Sequence, residues 1–160
     1  DYLIKKVSLK KLLNTVALKN REDLLENKID LLIEVDDVKI RTDEKWLEFI
    51  VNQIINNAIK YKNKESAYIK MNTNLKGEQV FLIIEDNGMG IASSDLPKVF
   101  EKSFTGKNGR IMTKSTGMGL YIASSLCKKL GHKIQIDSKE GIYTKVTLTF
   151  SIHSFYDVVK

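Results

Sequence analysis

The sequence is poor in cysteine and proline. It has one cysteine, Cys127, and one proline, Pro97, in 160 residues. A single cysteine excludes an internal disulfide framework and a cysteine zinc site, and it fits a reducing compartment. Because Cys127 lies in an apolar helical pattern, we expect a buried structural thiol.

Long apolar runs and enzyme signatures of several kinds are also missing. No segment approaches the roughly 20 apolar residues that a membrane-spanning helix needs. The sequence has no internal repeat, no HExxH motif and no Ser/His/Asp arrangement. Since the first residue is Asp1 and not Met, we expect a fragment of a longer protein.

The overall composition is that of an ordinary globular domain. Hydrophobic residues make up 42% and charged residues 29% of the chain, and the net charge is +6. The lysines are scattered, and no stripe of interleaved basic and aromatic residues is present. A solvated basic surface is therefore the simplest interpretation, and nucleic-acid binding is not expected.

Hydrophobic periodicity predicts helices alternating with pairs of strands. Ser8 and Asp43 are expected N-caps, and Gly131 is expected to end the last helix. The predicted helices span 8–25, 43–62, 94–101 and 117–131, and the predicted strands span 29–35, 38–42, 66–75, 78–85, 132–138 and 144–152. This order predicts a mixed, mainly antiparallel sheet covered on one face by helices, with 78–85 as a central strand buried on both faces.

The helix at 43–62 carries a polar stripe beside its apolar face. Gln53, Asn57, Lys60 and Tyr61 lie within about 100° of arc. An amide oxygen of Asn57 suits Mg²⁺, Lys60 could reach a phosphate, and Tyr61 could contact a nucleoside. A solvated polar face would give the same pattern.

The stretch "IIEDNGMGI" (83–91) can be interpreted in two ways. Asn-Gly is a strong signal for a two-residue hairpin turn. However, no alternating strand follows, so we expect the chain to leave the sheet at Asp86. A carboxylate at a strand end needs a donor, which an adenine amine would supply, and Gly88 and Gly90 would let a flat base approach the backbone.

The stretch "STGMGLYIA" (115–123) leads into the last helix. Thr116, Gly117 and Gly119 would leave the backbone N–H groups of a helix N-terminus open to an anion. A flexible junction between loop and helix is the alternative. Residues 102–116 before it have no clear period and are predicted to form a mobile loop, a common arrangement for lids.

Together these motifs resemble those of the ATP-binding catalytic domain of bacterial sensor histidine kinases. The resemblance covers nearly the whole chain: "NQIINNAIKY", "DNGMGI", the Phe motif and lid in "VFEKSFTGKNGR" and "STGMGLYIA" stand in the family's order. It implies an α+β, two-layer α/β sandwich of the Bergerat type with a mobile ATP lid. The wording of the lid is most similar to Gram-positive kinases that respond to cell-wall antibiotics.

The resemblance also implies cofactors and site residues. Mg²⁺ would be bound by Asn57, adenine would be read by Asp86, and catalysis would depend on Asn57, Lys60 and Gln53. Lys107 and Arg110 would lie on the lid, where each could contact the γ-phosphate or remain solvated. The full implied ATP site comprises Asn57, Lys60, Tyr61, Asp86, Gly88, Gly90, Ile91, Phe100, Lys107, Arg110, Thr116, Gly117, Met118, Gly119, Leu120 and Thr144.

Two residues depart from the family pattern. The third glycine motif, usually Gly-x-Gly-Thr, is "GIYT" (141–144), so Tyr143 stands at the second glycine and puts close backbone approach in doubt. Hydrolysing relatives carry a glutamate as general base where this chain has Gln53, which cannot accept a proton at neutral pH. This difference favours holding ATP for transfer over hydrolysing it.

The implied function is transfer of the γ-phosphate to a histidine that this chain lacks. The family's phosphoacceptor lies on an N-terminal helical hairpin, and neither His132 nor His153 has that context. Residues 1–28 are predicted to connect to the hairpin, and 29–160 to form the catalytic domain. The expected partners are the hairpin of a homodimeric parent and a response regulator. We expect a soluble, cytoplasmic fragment of a membrane-anchored parent.

Two other functions remain open on the sequence alone. A Bergerat-fold anti-sigma-factor kinase would phosphorylate a protein serine, and it would lack the attached hairpin. A non-enzymatic module would use the basic surface to bind a partner or a nucleic acid, and it would not bind Mg-ATP.

Overall fold

Seven β-strands and four α-helices form from residues 2–102 and 119–152, the part of the chain that the computed structural model describes. The strands are β1 (Ile4–Ser8), β2 (Asp30–Glu34), β3 (Lys39–Asp43), β4 (Tyr68–Lys76), β5 (Gln79–Asp86), β6 (Lys133–Lys139) and β7 (Tyr143–Ser151). The helices are α1 (Leu9–Lys19), α2 (Arg21–Glu26), α3 (Glu44–Lys60) and α4 (Gly119–Leu130). The predicted helix 94–101 is reduced to a 3-10 turn at Leu96–Lys98.

The larger sheet has five strands in the order β2-β4-β5-β7-β6. Only the β2–β4 pair is parallel, which confirms the mixed, mainly antiparallel prediction. β5 is the central strand, as predicted. Its Val80, Leu82 and Ile84 are buried, whereas Phe81 and Ile83 on the other face are only half-buried, so burial on both faces was predicted too strongly.

The core lies between this sheet and the helices on one of its faces. α3 packs between α1 and α4, and its apolar stripe points at the sheet. The predicted stripe is confirmed, since Leu47, Ile50, Val51, Ile54, Ile55 and Ala58 are all buried. Burying this much apolar surface is the main source of stability for such a two-layer domain.

The N-terminal segment differs from its prediction as one helix. Helix α1 ends at Lys19 and is capped by Asn20, and α2 follows. Asn20 Nδ2 donates to the Val16 carbonyl oxygen (2.9 Å) and to Asn52 Oδ1 (2.7 Å). An unpredicted strand, β1, precedes α1 and pairs with β3 in a second sheet. Val7 and Leu13 lie in the shared core. The connection of residues 1–28 to a hairpin stays a prediction.

The three predicted capping residues agree with the structure. Ser8 Oγ accepts from the backbone N–H of Lys11 (3.2 Å), and Asp43 Oδ1 accepts from that of Trp46 (3.1 Å). Gly131 has φ +78° and ends α4. In the described ranges, no helix combines the length and hydrophobicity that crossing a membrane requires.

Cys127 is a buried structural thiol, as predicted, and His132 is structural as well. The Cys127 thiol is buried, and burial raises its pKa to about 12. The imidazole of His132 is 7% exposed, and its Nε2 lies 2.8 Å from Thr42 Oγ1 while its ring meets the edge of Phe150. Burial lowers the pKa of His132 to about 4, so the ring is neutral at pH 7.

Candidate nucleotide-binding site

The ends of three neighbouring strands place Asp86, Thr144 and Ser138 in one row. Thr144 lies opposite Asp86 in the β5–β7 pair, and Ser138 lies opposite Thr144 in the β7–β6 pair. Side chains alternate between the faces of a sheet, so this row shares a face with Ile84 and Val146, which are buried under the helices. The sheet thus ends in a carboxylate and two hydroxyls on its helix-covered face.

The carboxyl group of Asp86 lies in a poorly solvated place. The pKa of its carboxyl is raised to about 6, mainly by burial and also by the charge of Glu85, although a hydrogen bond from Gly88 N to Oδ1 (2.9 Å) and the charge of Lys64 oppose the rise. At pH 7 the carboxylate is mostly ionised and can only accept hydrogen bonds. The group therefore suits a ligand that donates.

The Asn-Gly pair after Asp86 does not form a hairpin. Asn87 Oδ1 accepts from Tyr68 N (2.9 Å), and its Nδ2 donates to the Ser66 carbonyl oxygen (2.9 Å). Asn87 thereby satisfies the backbone at the start of β4, and β5 ends at Asp86 as predicted. The asparagine of the Asn-Gly pair therefore serves these hydrogen bonds and not a hairpin turn.

Gly88 and Gly90 are needed for contacts within the protein, and their role beneath a base stays a prediction. A Cβ on Gly88 would lie 2.7 Å from the carbonyl oxygen of Tyr61, at the end of α3. Gly90 has φ +68°, and its Cβ would lie 2.3 Å from the carbonyl oxygen of Lys139. The loop is therefore packed directly on α3 and on the β6–β7 turn.

Lys64 stabilises the same loop, and this role was not predicted from the sequence. Its Nζ donates to the carbonyl oxygens of Asn87 (3.0 Å), Gly141 (3.0 Å) and Ile142 (3.2 Å). One ammonium group therefore joins the end of β5 to the β6–β7 turn. Lysines on a polar loop are too common for this role to show in the sequence.

Ser138 was also missed, and it joins the loop to the strand row. Its Oγ accepts from Ile91 N (2.8 Å) and donates to the Tyr143 carbonyl oxygen (2.6 Å). The same oxygen lies 3.1 Å from Thr144 Oγ1. Of the predicted residues, Ile91 and Thr144 are thus brought together through a serine at the end of β6.

The polar stripe of α3 meets the loop after Asp86 at Tyr61, whose carbonyl oxygen accepts from Met89 N (2.9 Å). Gln53, Asn57, Lys60 and Tyr61 are all half-buried, whereas Asn56 is exposed. Lys60 Nζ lies 5.6 Å from the centre of the Tyr61 ring. Half-burial disfavours the alternative of a fully solvated polar face.

The first turn of α4 lies against the same stripe. A Cβ on Gly119 would be 2.4 Å from Gln53 Oε1, so only glycine fits there without a shift of that side chain. Gly119, the first described residue of α4, thus lies beside α3. Leu120 and Phe100 are half-buried. The predicted Lys107, Arg110, Thr116, Gly117 and Met118 lie outside the described residues.

Tyr143 does not narrow the site. It occupies the position of the second glycine in "GIYT", but its side chain lies on the opposite face of the sheet, where its hydroxyl donates to Asp137 Oδ2 (2.9 Å). Gly141 keeps the left-handed conformation of the turn, with φ +79°. The Tyr143 side chain therefore does not obstruct the approach of a ligand to the backbone on the face of the sheet that carries Asp86.

Comparison with known proteins assigns the chain to a protein family. The model of the histidine kinase-, DNA gyrase B- and HSP90-like ATPase family matches residues 42–154. The chain belongs to this ATPase family. Membership indicates a nucleotide-binding domain and agrees with the site at the end of β5.

The similar curated proteins are kinases. The sensor histidine kinase YxdK of Bacillus subtilis is 35% identical over 94% of this chain, and the sensor protein kinase GraS of Staphylococcus aureus is 40% identical over 78% of it. The chain covers 46% of the first protein and 35% of the second, so it spans less than half of either relative.

Similar solved structures agree on the Bergerat-type fold. A nucleotide-free form of the catalytic domain of histidine kinase ThkA matches 94% of this chain with a TM-score of 0.81 at 22% identity, and the match covers 98% of that chain. The histidine kinase AdeS of Acinetobacter baumannii matches 96% with a TM-score of 0.76 at 21% identity, over 70% of that chain. The predicted two-layer sandwich is confirmed.

Proposed function

We propose that this chain is the Mg-ATP-binding catalytic domain of a two-component sensor histidine kinase. The domain transfers the γ-phosphate to a histidine on a helical hairpin outside this chain, for relay to a response regulator. The observation that carries the proposal is the junction of Asp86, the polar stripe of α3 and the start of α4 at one end of the sheet. The relatives named as sensor kinases support it.

Asp86 reads the adenine. Its ionised carboxylate accepts from the exocyclic amine, which is a donor, in a place where burial makes an unpaired acceptor costly. The Gly88 N–H holds Oδ1 in position. The remaining acceptor capacity of the carboxylate faces the ligand.

Asn57 binds the metal, and Lys60 binds phosphate. Within the described residues no group of three or more His, Cys, Asp or Glu side chains could hold a metal alone. This fits Mg²⁺, which takes one or two protein oxygens and completes its shell with water and phosphate oxygens. The metal would neutralise charge on the triphosphate during transfer. The half-buried stripe of α3 keeps Asn57 and Lys60 beside the nucleotide.

Gln53 keeps the bound nucleotide from hydrolysis. An amide cannot serve as the general base for water. Gln53 Oε1 is instead packed against Gly119, where it positions the start of α4. The chain therefore orients ATP for an external acceptor, through positioning and electrostatics.

The acceptor is not His132. Its imidazole is 7% exposed and bound to Thr42, so an external phosphoryl group cannot reach it. His153 lies outside the described residues. The resemblance to sensor histidine kinases supports an acceptor on the hairpin of a homodimeric parent, to which a response regulator would bind.

Incubation of the chain with γ-labelled ATP and Mg²⁺ tests the proposal. We expect Mg-dependent binding without stable label on the isolated chain, and labelled histidine only after a matching hairpin is added. Acid-labile label on the chain alone would contradict the missing acceptor. Absence of Mg-dependent ATP binding would remove the kinase proposal and favour a partner-binding module.

A further inference from the structure

Ser138 has a hydrogen-bonding pattern that fixes the direction of a neighbouring hydroxyl. A serine has one O–H donor and two acceptor lone pairs. The Tyr143 carbonyl oxygen, 2.6 Å away, can only accept, so it takes the single proton of Ser138. The N–H of Ile91, 2.8 Å away, occupies one lone pair. What remains on Ser138 Oγ is one acceptor site.

The hydroxyl of Thr144 must fill that site. Its Oγ1 lies 3.1 Å from Ser138 Oγ, and since the serine has no proton left, Thr144 donates. A hydroxyl whose proton is committed can offer only lone pairs elsewhere. Thr144 stands directly opposite Asp86 in the β5–β7 register, on the same face. The strand end therefore presents two acceptors side by side.

We propose that Ser138 is a positioning residue that orients Thr144 as a hydrogen-bond acceptor and thereby selects a 6-aminopurine over a 6-oxopurine nucleotide. The inference rests on the proposed nucleotide site at Asp86. A 6-amino group donates and meets both acceptors, directly or through water. A 6-oxo group would place a third acceptor against them, leaving buried polar atoms unpaired.

Inosine triphosphate is the probe, because its purine carries an oxygen in place of the 6-amine of ATP, together with an N–H in place of the lone pair at ring position 1. We expect Ser138→Ala to lower the ratio of ATP to inosine triphosphate affinity about tenfold, since Thr144 can then turn and donate. Ser138→Thr keeps the hydroxyl and should keep the wild-type ratio. Thr144→Val should lower the ratio by a similar factor. The double variant S138A/T144V should lower it no further, because the serine acts through the threonine.

A purely structural role of Ser138 predicts another result. The hydroxyl also holds Ile91, so its loss could weaken both nucleotides equally and leave their ratio unchanged, which would overturn the inference. Lys64→Arg is the structural control, because it alters the hydrogen bonds that hold the same loop while keeping the positive charge near Asp86, and it should leave the ratio unchanged. If S138A does not fold, an unchanged ratio in T144V overturns the inference. Failure of the wild-type chain to bind either nucleotide would instead refute the proposed function, and this inference with it.

Discussion

Two adjacent acids at the end of β5, Glu85 and Asp86, lie on opposite faces of the sheet in different surroundings. Glu85 belongs to a row of charges on the face away from the helices, where Lys70, Glu85, Lys145 and Asp137 stand in register. Glu85 Oε2 accepts from the Tyr68 hydroxyl (2.7 Å), and Oε1 lies 3.7 Å from Lys145 Nζ. The protein itself satisfies this acid.

Among the residues that the structure describes, Asp86 has no comparable partner. Within the described residues, its side chain accepts one hydrogen bond, from the backbone of Gly88, and its pKa is raised by burial. An acid that is desolvated and incompletely paired lowers the stability of the fold, and it persists where it has another use. This difference indicates that the carboxylate of Asp86, and not that of Glu85, is available to a ligand.

The largest expected difference between substitutions of Asp86 and Glu85 is in the affinity for ATP. Asp86→Asn should weaken ATP binding at least tenfold, or ~1.4 kcal/mol, because an amide NH₂ can face the adenine amine where the carboxylate accepted. Glu85→Gln removes the same charge one residue away and should change the affinity less than twofold. Calorimetric titration with Mg-ATP measures both. Equal losses in the two variants would refute the adenine contact.

The pH dependence of binding sharpens the same contrast. With a pKa of about 6, Asp86 is mostly ionised at pH 7 and mostly protonated at pH 5, so ATP affinity should fall somewhat under tenfold over this interval. The phosphates of ATP also take up protons, so the curve of D86N serves as the baseline. A wild-type curve parallel to that baseline would contradict a direct role of the carboxylate.

Stability should change in the opposite direction from binding. A carboxyl whose pKa is raised in the folded state destabilises the fold progressively as pH rises from about 4 through about 6. Asp86→Asn should therefore raise the free energy of unfolding at pH 7 by up to about 3 kcal/mol, with the gain disappearing below pH 4. Chemical denaturation at both pH values tests this. Glu85→Gln, which loses a partly exposed ion pair, should show no gain.

The contrast also marks what the sequence could predict. The α3 stripe and the strands β4 and β5 follow from strong local periodicity, and Ser8 and Asp43 follow from local capping rules. These signals depend on residues a few positions apart. β1 was missed because it is short, has one fully buried side chain and pairs with β3 more than thirty residues away.

The supporting residues of the site were missed for a related reason. Lys64 reaches the Gly141 carbonyl across 77 positions, and Ser138 reaches Ile91 across 47. Their partners are backbone atoms, which every residue has, so no pattern of side chains announces them. Gly88 and Gly90 were visible as glycines, but the surfaces that approach them, Tyr61 and Lys139, depend on the tertiary fold.

Tyr143 supplies the smallest expected effect and the strictest test of the two-face comparison. Tyr143→Gly restores the family's Gly-x-Gly-Thr pattern, so a role in nucleotide approach would raise ATP affinity severalfold. The structure places the side chain with Asp137 and Lys145 on the face of Glu85. We therefore expect less than a twofold change in affinity, with a loss of ~1 kcal/mol in stability from the missing strand side chain. A clear gain in affinity would mean that the two faces are coupled at the β6–β7 turn.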